Sequence, residues 1–226
     1  MSRAEVHVPT GFKQTEIGPL PENWDVVSLG DLFEVQQGKA MSPQTRVGLF
    51  PTPFLRTSNV LWGRVDLNEV DSMDFNPEER DFYSLRTGDL LVCEGGEVGR
   101  SAIWEGGIAR CCFQNHIHRL RPTSGEAFPE FYMYWMQAAI LLLGLYRGAG
   151  NKTTIPNLSK GRLKQLPVPK PPFTEQESIA RMLQTSQRHI RAIEEKASAS
   201  EDLFRSMLHE SMTGALIPSL AKLVTK

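Results

Sequence analysis

From Thr174 to Thr213 the chain contains neither proline nor glycine. Its start carries a helix signal: "TEQE" reads as a capping box, with Thr174 as cap and Glu177 answering it three residues on. Glu175 and Glu177 also suit the positive end of a helix dipole. Core-type positions recur at alternating spacings of four and three: Ile179, Leu183, Ser186, Ile190, Ile193, Ala197, Ser200, Phe204, Met207 and Ser211. Seven of the ten are apolar, which makes a heptad seam weakened by three serines. A helix over 175–213 would be about 58 Å long at 1.5 Å per residue. Such a helix cannot be buried within a domain built from the rest of 226 residues, so its seam needs another helix. The competing reading is an ordinary amphipathic helix broken near Ser198, Ala199 and Ser200.

Just upstream, "LPVPKPPF" places four prolines between Leu166 and Phe173. Each proline disfavours helix in the residue before it, so residues 167–172 are expected to be extended and to form a stiff boundary. Before that boundary the pattern changes. "DVVSL", "PFLRTSNV", "GDLLVCE", "SAIWE" and "NHIHRLR" read as short strands bounded by Gly, Pro or Asn. "NPEERDFY" reads as a helix with Asn76 as cap and Pro77 in the first position. A longer helix is expected from Pro129, stopping before Gly148. Strands and helices alternate without a regular β-α-β rhythm. The expected class is α+β: a mixed α/β domain over 20–172, a coiled-coil-forming helix over 173–216, an N-terminal extension over 1–19 and a tail over 217–226.

Hydrophobic residues make up 40% of the chain, enough for a sizeable core. Cys93, Cys111 and Cys112 are too few and too oddly placed for a disulfide framework, which fits a reducing cytoplasm. The N-terminus has no signal-peptide pattern. The most apolar window, "WMQAAILLLGLY", has 12 residues where a membrane span needs about 20, so a buried core helix and no membrane association are expected. Net charge is −1, but it is polarised. Residues 66–97 hold ten acidic residues and two arginines, whereas residues 131–174 hold six basic residues and no acidic one. Either the basic stretch steers a polyanion to one face, or the acidic segment folds against it.

Catalytic motifs fail on their chemistry. "KPPF" is one letter from the Asn-Pro-Pro-Tyr/Phe tetrapeptide of amino-methylating DNA methyltransferases, but Lys170 carries only donors where the target amino group needs an acceptor. "CEGGEVGR" lacks the G-x-G-x-x-G spacing of a nucleotide site. In "CCFQNHIH" the adjacent cysteines of a strand point to opposite faces, so a core strand is expected and no metal site. No G-x-S-x-G elbow and no locally activated cysteine is present. No catalytic residue and no cofactor is assigned to this chain.

Polar loops suited to DNA remain. "QQGK" offers Gln36, Gln37 and Lys39; "RTSN" offers Arg56, Thr57, Ser58 and Asn59. "RGAGNKTT" offers Arg147, Asn151, Lys152, Thr153 and Thr154, with Lys160 beyond it in the acid-free stretch. Arg, Asn and Gln can make two-pronged contacts to guanine and adenine edges, and Ser, Thr and glycine-loop amides suit phosphates. Each loop taken alone reads better as an ordinary polar loop, and the third is the strongest candidate because it lies inside the acid-free stretch.

Several segments together resemble the specificity (S, HsdS) subunits of type I restriction–modification systems. They are "IGPLPENWDVVSLGDL", with Pro21, Trp24 and Leu29 in the expected spacing, then "FLRTSNV", "GDLLVCEGGEVGRSAI" and "QNHIHRLRP". The most specific is "YRGAGNKTTIPNLSKGRLKQLPVPKPPFTEQESIA", where Pro169, Pro171, Pro172, Glu175, Gln176 and Ile179 fall in register. "LHESMTGAL" resembles the family's helix-end motif, while Lys170 departs from its usual apolar residue. The resemblance implies a target recognition domain that reads half of a split double-stranded DNA sequence, and a spacer helix that docks methyltransferase subunits and, through them, the restriction subunit. Those partners would use S-adenosylmethionine, ATP and Mg²⁺. Family members usually carry two such domains and two helices paired antiparallel. One of each here implies a half-length form that pairs with a second copy or with another specificity chain through Ile179, Leu183, Ile190, Ile193, Phe204 and Met207. Two other classes stay open: a coiled-coil module or inhibitor that mimics DNA with residues 66–97, and a stand-alone methyltransferase or nuclease.

Overall fold

The computed structural model describes residues 9–42, 48–146 and 157–213. They fall into two compact units, Met1–Ala180 and Arg181–Lys226. In chain order the first unit contains β1 (Phe12–Thr15), β2 (Gly18–Pro21), β3 (Asp25–Ser28), α1 (Leu29–Leu32), β4 (Phe33–Gln37) and β5 (Pro51–Leu55). Next come β6 (Val60–Leu61), β7 (Arg64–Val65), β8 (Asp71–Asp74), α2 (Pro77–Tyr83), β9 (Leu90–Cys93) and β10 (Ser101–Ile103). The unit continues with β11 (Cys112–Phe113), β12 (Ile117–Pro122), α3 (Pro129–Gln137), α4 (Lys160–Lys164) and β13 (Pro167–Lys170). Helix α5 (Phe173–Met212) starts in the first unit and runs through the second. A mixed α/β domain followed by a long unbroken helix is the class expected, and no break occurs at Ser198–Ser200.

The principal sheet has the order β10-β9-β12-β4, antiparallel throughout. Strand β9 shows why "LLVC" is apolar without alternation. Leu90 and Val92 join a core with Val35, Leu120 and the α3 residues Tyr132 and Met136. Leu91 and Cys93 join a second core with Leu55, Trp104, Phe113 and Ile117. Both faces of the strand are covered, so both must be hydrophobic. A smaller sheet, β11-β5-β8, pairs β11 parallel and β8 antiparallel to β5. The adjacent cysteines do point to opposite faces: Cys111 packs in the second core, Cys112 in a third with Phe54, Met73 and Phe75. Burial pushes their thiols up to about 12, and Cys93 up to about 11.

Some expectations hold in detail. Asn76 Oδ1 accepts from the Glu79 amide at 2.9 Å, Glu79 Oε2 accepts from the Asn76 amide at 2.9 Å, and Pro77 opens α2. The proline segment is extended: β13 pairs with β3, Pro169 opposite Val26. Prolines are tolerated there because, among the described residues, β13 has a neighbour on one side only.

Three local expectations are corrected. "PFLRTSNV" is a strand only to Leu55, and Thr57–Asn59 form a 3₁₀ turn. The helix from Pro129 is regular only to Gln137. At Ala138–Leu142 it widens into a π-turn, in which the Leu143 amide donates to Ala138 O at 2.9 Å, and the chain leaves at Gly144 with φ 61°. The extra residue in that turn rotates the next residues away from the core. Leu141, Leu142 and Leu143 are therefore exposed, where a buried core helix was expected. Lastly, Thr174 is not the cap of α5. The Pro172 carbonyl already accepts from the amides of Glu175 (2.9 Å) and Gln176 (3.1 Å), so the helix begins at Phe173, two residues before the start that a Thr174 cap would give. Proline's fixed φ is compatible with a helix start.

The first two turns of α5 are built into the domain. Gln176 is fully buried. Its Oε1 accepts from the Phe128 amide, and its Nε2 donates to Glu126 O and Pro171 O, all at 2.9 Å. Glu175 accepts from Trp24 Nε1 (2.8 Å) and Asn23 Nδ2 (2.9 Å), and Trp24 meets the edge of Phe131 at 6.1 Å. Ala180 is buried, and Ile179 packs against the first core. Of the six residues assigned to helix pairing, Ile179 thus serves its own domain. The other five lie in the second unit and are exposed, Ile193 by 69% and Phe204 by 65%.

Candidate nucleic-acid interface

The 3₁₀ turn at Thr57–Asn59 is held from inside by Asn59. That side chain is buried. Its Oδ1 accepts from the Arg56 amide at 2.8 Å, and its Nδ2 donates to Asp66 O (3.0 Å) and Glu69 O (2.7 Å). With Asn59 used this way, Arg56 and Ser58 are turned outward. Arg56 has a half-exposed side chain, and one of its nitrogens donates to Asp71 Oδ2 at 2.6 Å. The pair edges a cleft of about 350 Å³ floored by Met41, Phe54 and Met73. The arginine is thereby oriented while most of its donor fork stays open to solvent.

A second loop braces the same turn. Arg100 donates to Glu97 Oε2 at 3.2 Å and to the Thr57 carbonyl, and Glu97 also accepts from Trp62 Nε1 at 2.7 Å. Gly99 sits at φ 80°, a backbone conformation that favours glycine over residues with a Cβ. Trp62, Glu97, Val98, Ile140, Leu145 and Leu158 contribute to the walls of a cavity of about 280 Å³. Trp62, Glu97 and Arg100, which brace this turn, were not singled out from sequence. "CEGGEVGR" was weighed as a nucleotide loop and as part of the family resemblance, and the signal available for Arg100 was a basic residue directly after a glycine turn.

Both ends of the basic glycine loop are pinned. On one side the Tyr146 hydroxyl accepts from Trp135 Nε1 and donates to Pro167 O, both at 2.8 Å. On the other, the Leu158 amide donates to Glu94 O at 2.8 Å, and Leu158 O accepts from His118 Nε2 at 2.9 Å. Arg147, Asn151, Lys152, Thr153 and Thr154 themselves lie outside the described residues. Lys160, at the start of α4, is exposed.

The other predicted contacts face inward. Gln36 is buried, donating to Phe82 O at 2.9 Å and accepting from Arg119. Gln37 donates to Glu94 Oε2 (3.0 Å) and Asn115 O (2.9 Å). Lys39 donates to Asp74 O (2.7 Å) and Glu79 Oε2 (2.6 Å) and sits over the Phe75 ring at 4.9 Å. With Asn59, these residues are committed to the fold.

The same contacts bear on the charge question. Among the described residues, four acids of the acidic segment pair with near neighbours in space and none with the basic stretch. Asp71 pairs with Arg56, Glu79 with Lys39, Asp89 with Arg121, and Glu97 with Arg100. Lys170 of the basic stretch pairs instead with Glu126, outside the acidic segment. These pairs take up four of the ten acids that a DNA-mimicking face would present.

His118 is fully buried, and burial lowers its pKa from the usual 6.5, only partly opposed by its bond to Leu158 O and by nearby Glu94. The neutral ring must carry its proton on Nε2 to donate to that carbonyl. The unfolded chain takes up a second ring proton more readily than the folded one. Neutral His118 therefore contributes stability in full above pH 6.5, and loses it as pH falls from there through the lower folded-state pKa. Urea unfolding at pH 7.5, 6.0 and 5.0 should show a falling midpoint, with a smaller fall in His118→Gln.

Comparison with known proteins identifies the class. Residues 21–200 match the family described as type I restriction modification DNA specificity domain, and the chain belongs to it. It is similar to the putative type I restriction enzyme MjaX specificity subunit of Methanocaldococcus jannaschii, 26% identical over 211 residues, covering 89% of this chain and 48% of that one. It is also similar to the MjaIX specificity subunit of that organism, 23% identical over 180 residues, covering 77% and 40%. The chain thus spans about half the length of the curated relatives it matches. Among solved structures it shares its fold with a chain described under complex assembly and conformational transition of the type I R-M system (TM-score 0.62, 19% identity, covering 83% and 44%). The HsdS subunit from Thermoanaerobacter tengcongensis also shares the fold (TM-score 0.53, 19% identity, covering 80% and 41%).

Proposed function

We propose that this chain is a non-catalytic, cytoplasmic DNA-specificity subunit of a type I restriction–modification complex that reads one half of a bipartite target. The observation that carries this reading is the family match, which spans both the recognition unit and the root of a helix whose outer apolar seam is exposed. The first unit binds one half-site. Helix α5 pairs with a second specificity helix, in a homodimer or with another half-length chain, and sets the separation of the half-sites. Methylation and cleavage belong to partner subunits, which supply S-adenosylmethionine, ATP and Mg²⁺ chemistry. The test is reconstitution. The pure chain with DNA, Mg²⁺ and S-adenosylmethionine should give no product, and adding methyltransferase subunits should give sequence-specific adenine methylation. Methylation by the chain alone, or without sequence preference in the complex, would contradict the reading.

Within the DNA face, Arg56, Thr57, Ser58 and Lys160 are the described contacts we assign, together with Arg147, Asn151, Lys152, Thr153 and Thr154. Arg56, oriented by Asp71, suits the O6 and N7 acceptors of a guanine. Arg56→Ala in the complex should cost about 1–3 kcal/mol of discrimination at one base pair, measured by competition between single-base target variants. Lys160→Ala should behave differently. It should weaken all sequences alike and lower the slope of log K against log salt by about one.

A further inference from the structure

We propose that the outer part of α5 pairs with a second copy of itself antiparallel and in one register, centred on Glu195. The proposal rests on the helix-pairing reading above and goes beyond it by fixing which residues meet. The free seam runs Leu183, Ser186, Ile190, Ile193, Ala197, Ser200, Phe204 and Met207, all in the second unit.

Three small residues interrupt this seam, and their positions are what select the pairing. A helix–helix interface fills its layers at near-constant volume, so a large residue is best faced by a small one. In a parallel pair each position meets itself. Ser186, Ala197 and Ser200 would then make empty layers, and Phe204 would crowd against Phe204. In an antiparallel pair centred on Glu195, Ile193 faces Ala197, Ile190 faces Ser200, Phe204 faces Ser186, and Leu183 faces Met207. Every small residue then has a large partner. Each layer also joins an a position to a d position of the heptad, as antiparallel seams require.

Neighbouring registers do worse. A shift of one heptad in one direction sets Ser186 against Ala197 and leaves Ile190 to crowd Ile193. A shift in the other sets Ala197 against Ser200 and Ile193 against Phe204. Ser211, the last small position, falls opposite Ile179, whose side chain the recognition unit's own core already takes up. Charge does not select the register, since Glu194 comes nearest Glu201 of the other copy. Side-chain volume does.

Disulfide trapping on the full chain tests this. The native cysteines are buried, and their thiols, at about 11 to 12, stay out of exchange at neutral pH. Mixed under mild oxidation, Ser186→Cys and Phe204→Cys should cross-link to each other, as should Ile190→Cys and Ser200→Cys, while each variant alone should not. Self-cross-linking of Ser186→Cys would establish a parallel pair and overturn the proposal. Joining of Ser186→Cys to Ala197→Cys or Ser211→Cys would establish a shifted register and overturn it too. As a second measurement, Ser186→Phe should weaken dimerisation about tenfold by overpacking, and the swap Ser186→Phe with Phe204→Ser should restore it. A dimer that none of these pairs trap and the swap does not restore overturns the register alone. A chain that stays monomeric at all concentrations overturns self-pairing itself.

Discussion

Replacing Gln176 with leucine should lower the stability of the recognition unit by about 3 kcal/mol, a shift in midpoint on the order of 10 °C. The glutamine is fully buried and serves three backbone groups: the amide of Phe128 and the carbonyls of Glu126 and Pro171. Leucine satisfies none of them, and a buried polar group left without a partner costs its full desolvation. Gln176→Glu should be at least as damaging at neutral pH. A carboxylate accepts from the amide but faces two carbonyl oxygens with no donor. Its cost should shrink in acid, where the protonated group regains one donor. Thermal or urea unfolding measures both. A loss below about 1 kcal/mol for the leucine variant would mean that the helix root is not held as described.

The second large effect concerns association. The double variant Ile190→Glu, Ile193→Glu should raise the dissociation constant of the helix pair about 100-fold or more, because paired helices would bury carboxylates without partners. Sedimentation at a concentration where the unmodified chain is dimeric should then find monomer. The unfolding midpoint of the recognition unit should be unchanged, because both positions lie in the separate second unit. Loss of bipartite methylation together with retained domain stability would locate the defect in pairing. An unaltered dimer would place the interface elsewhere.

The features legible in the sequence are those set by local physics. Nothing in residues 174–213 interrupts a helix, and a helix forms there. The Asn76 cap, the buried strand "LLVC" and the extended prolines depend on neighbours in sequence or on simple periodicity. The candidate DNA contacts were harder to read because polarity does not reveal direction. Gln36, Lys39 and Asn59 have the chemistry of base readers, yet their partners are Arg119, Glu79 and the Asp66 carbonyl, far from them along the chain or around a turn. The charge pattern left two readings open for the same reason: Asp89 meets Arg121 and Glu79 meets Lys39 only once the strands are paired. Arg100 was overlooked because its role lies in the turn it braces through the Thr57 carbonyl. The seam of α5 was legible in its spacing. Its serines read as weakness until each was set opposite a large residue of a second copy.

The most direct measurement of the central claim is a map of the modified adenines in DNA exposed to the complex reconstituted from this chain and methyltransferase subunits. The expected result is one interrupted sequence whose two halves are related by two-fold symmetry, separated by a fixed number of unread bases. Two unrelated half-sequences would contradict self-pairing, and methylation scattered without a common sequence would contradict the assignment of this chain as the reader.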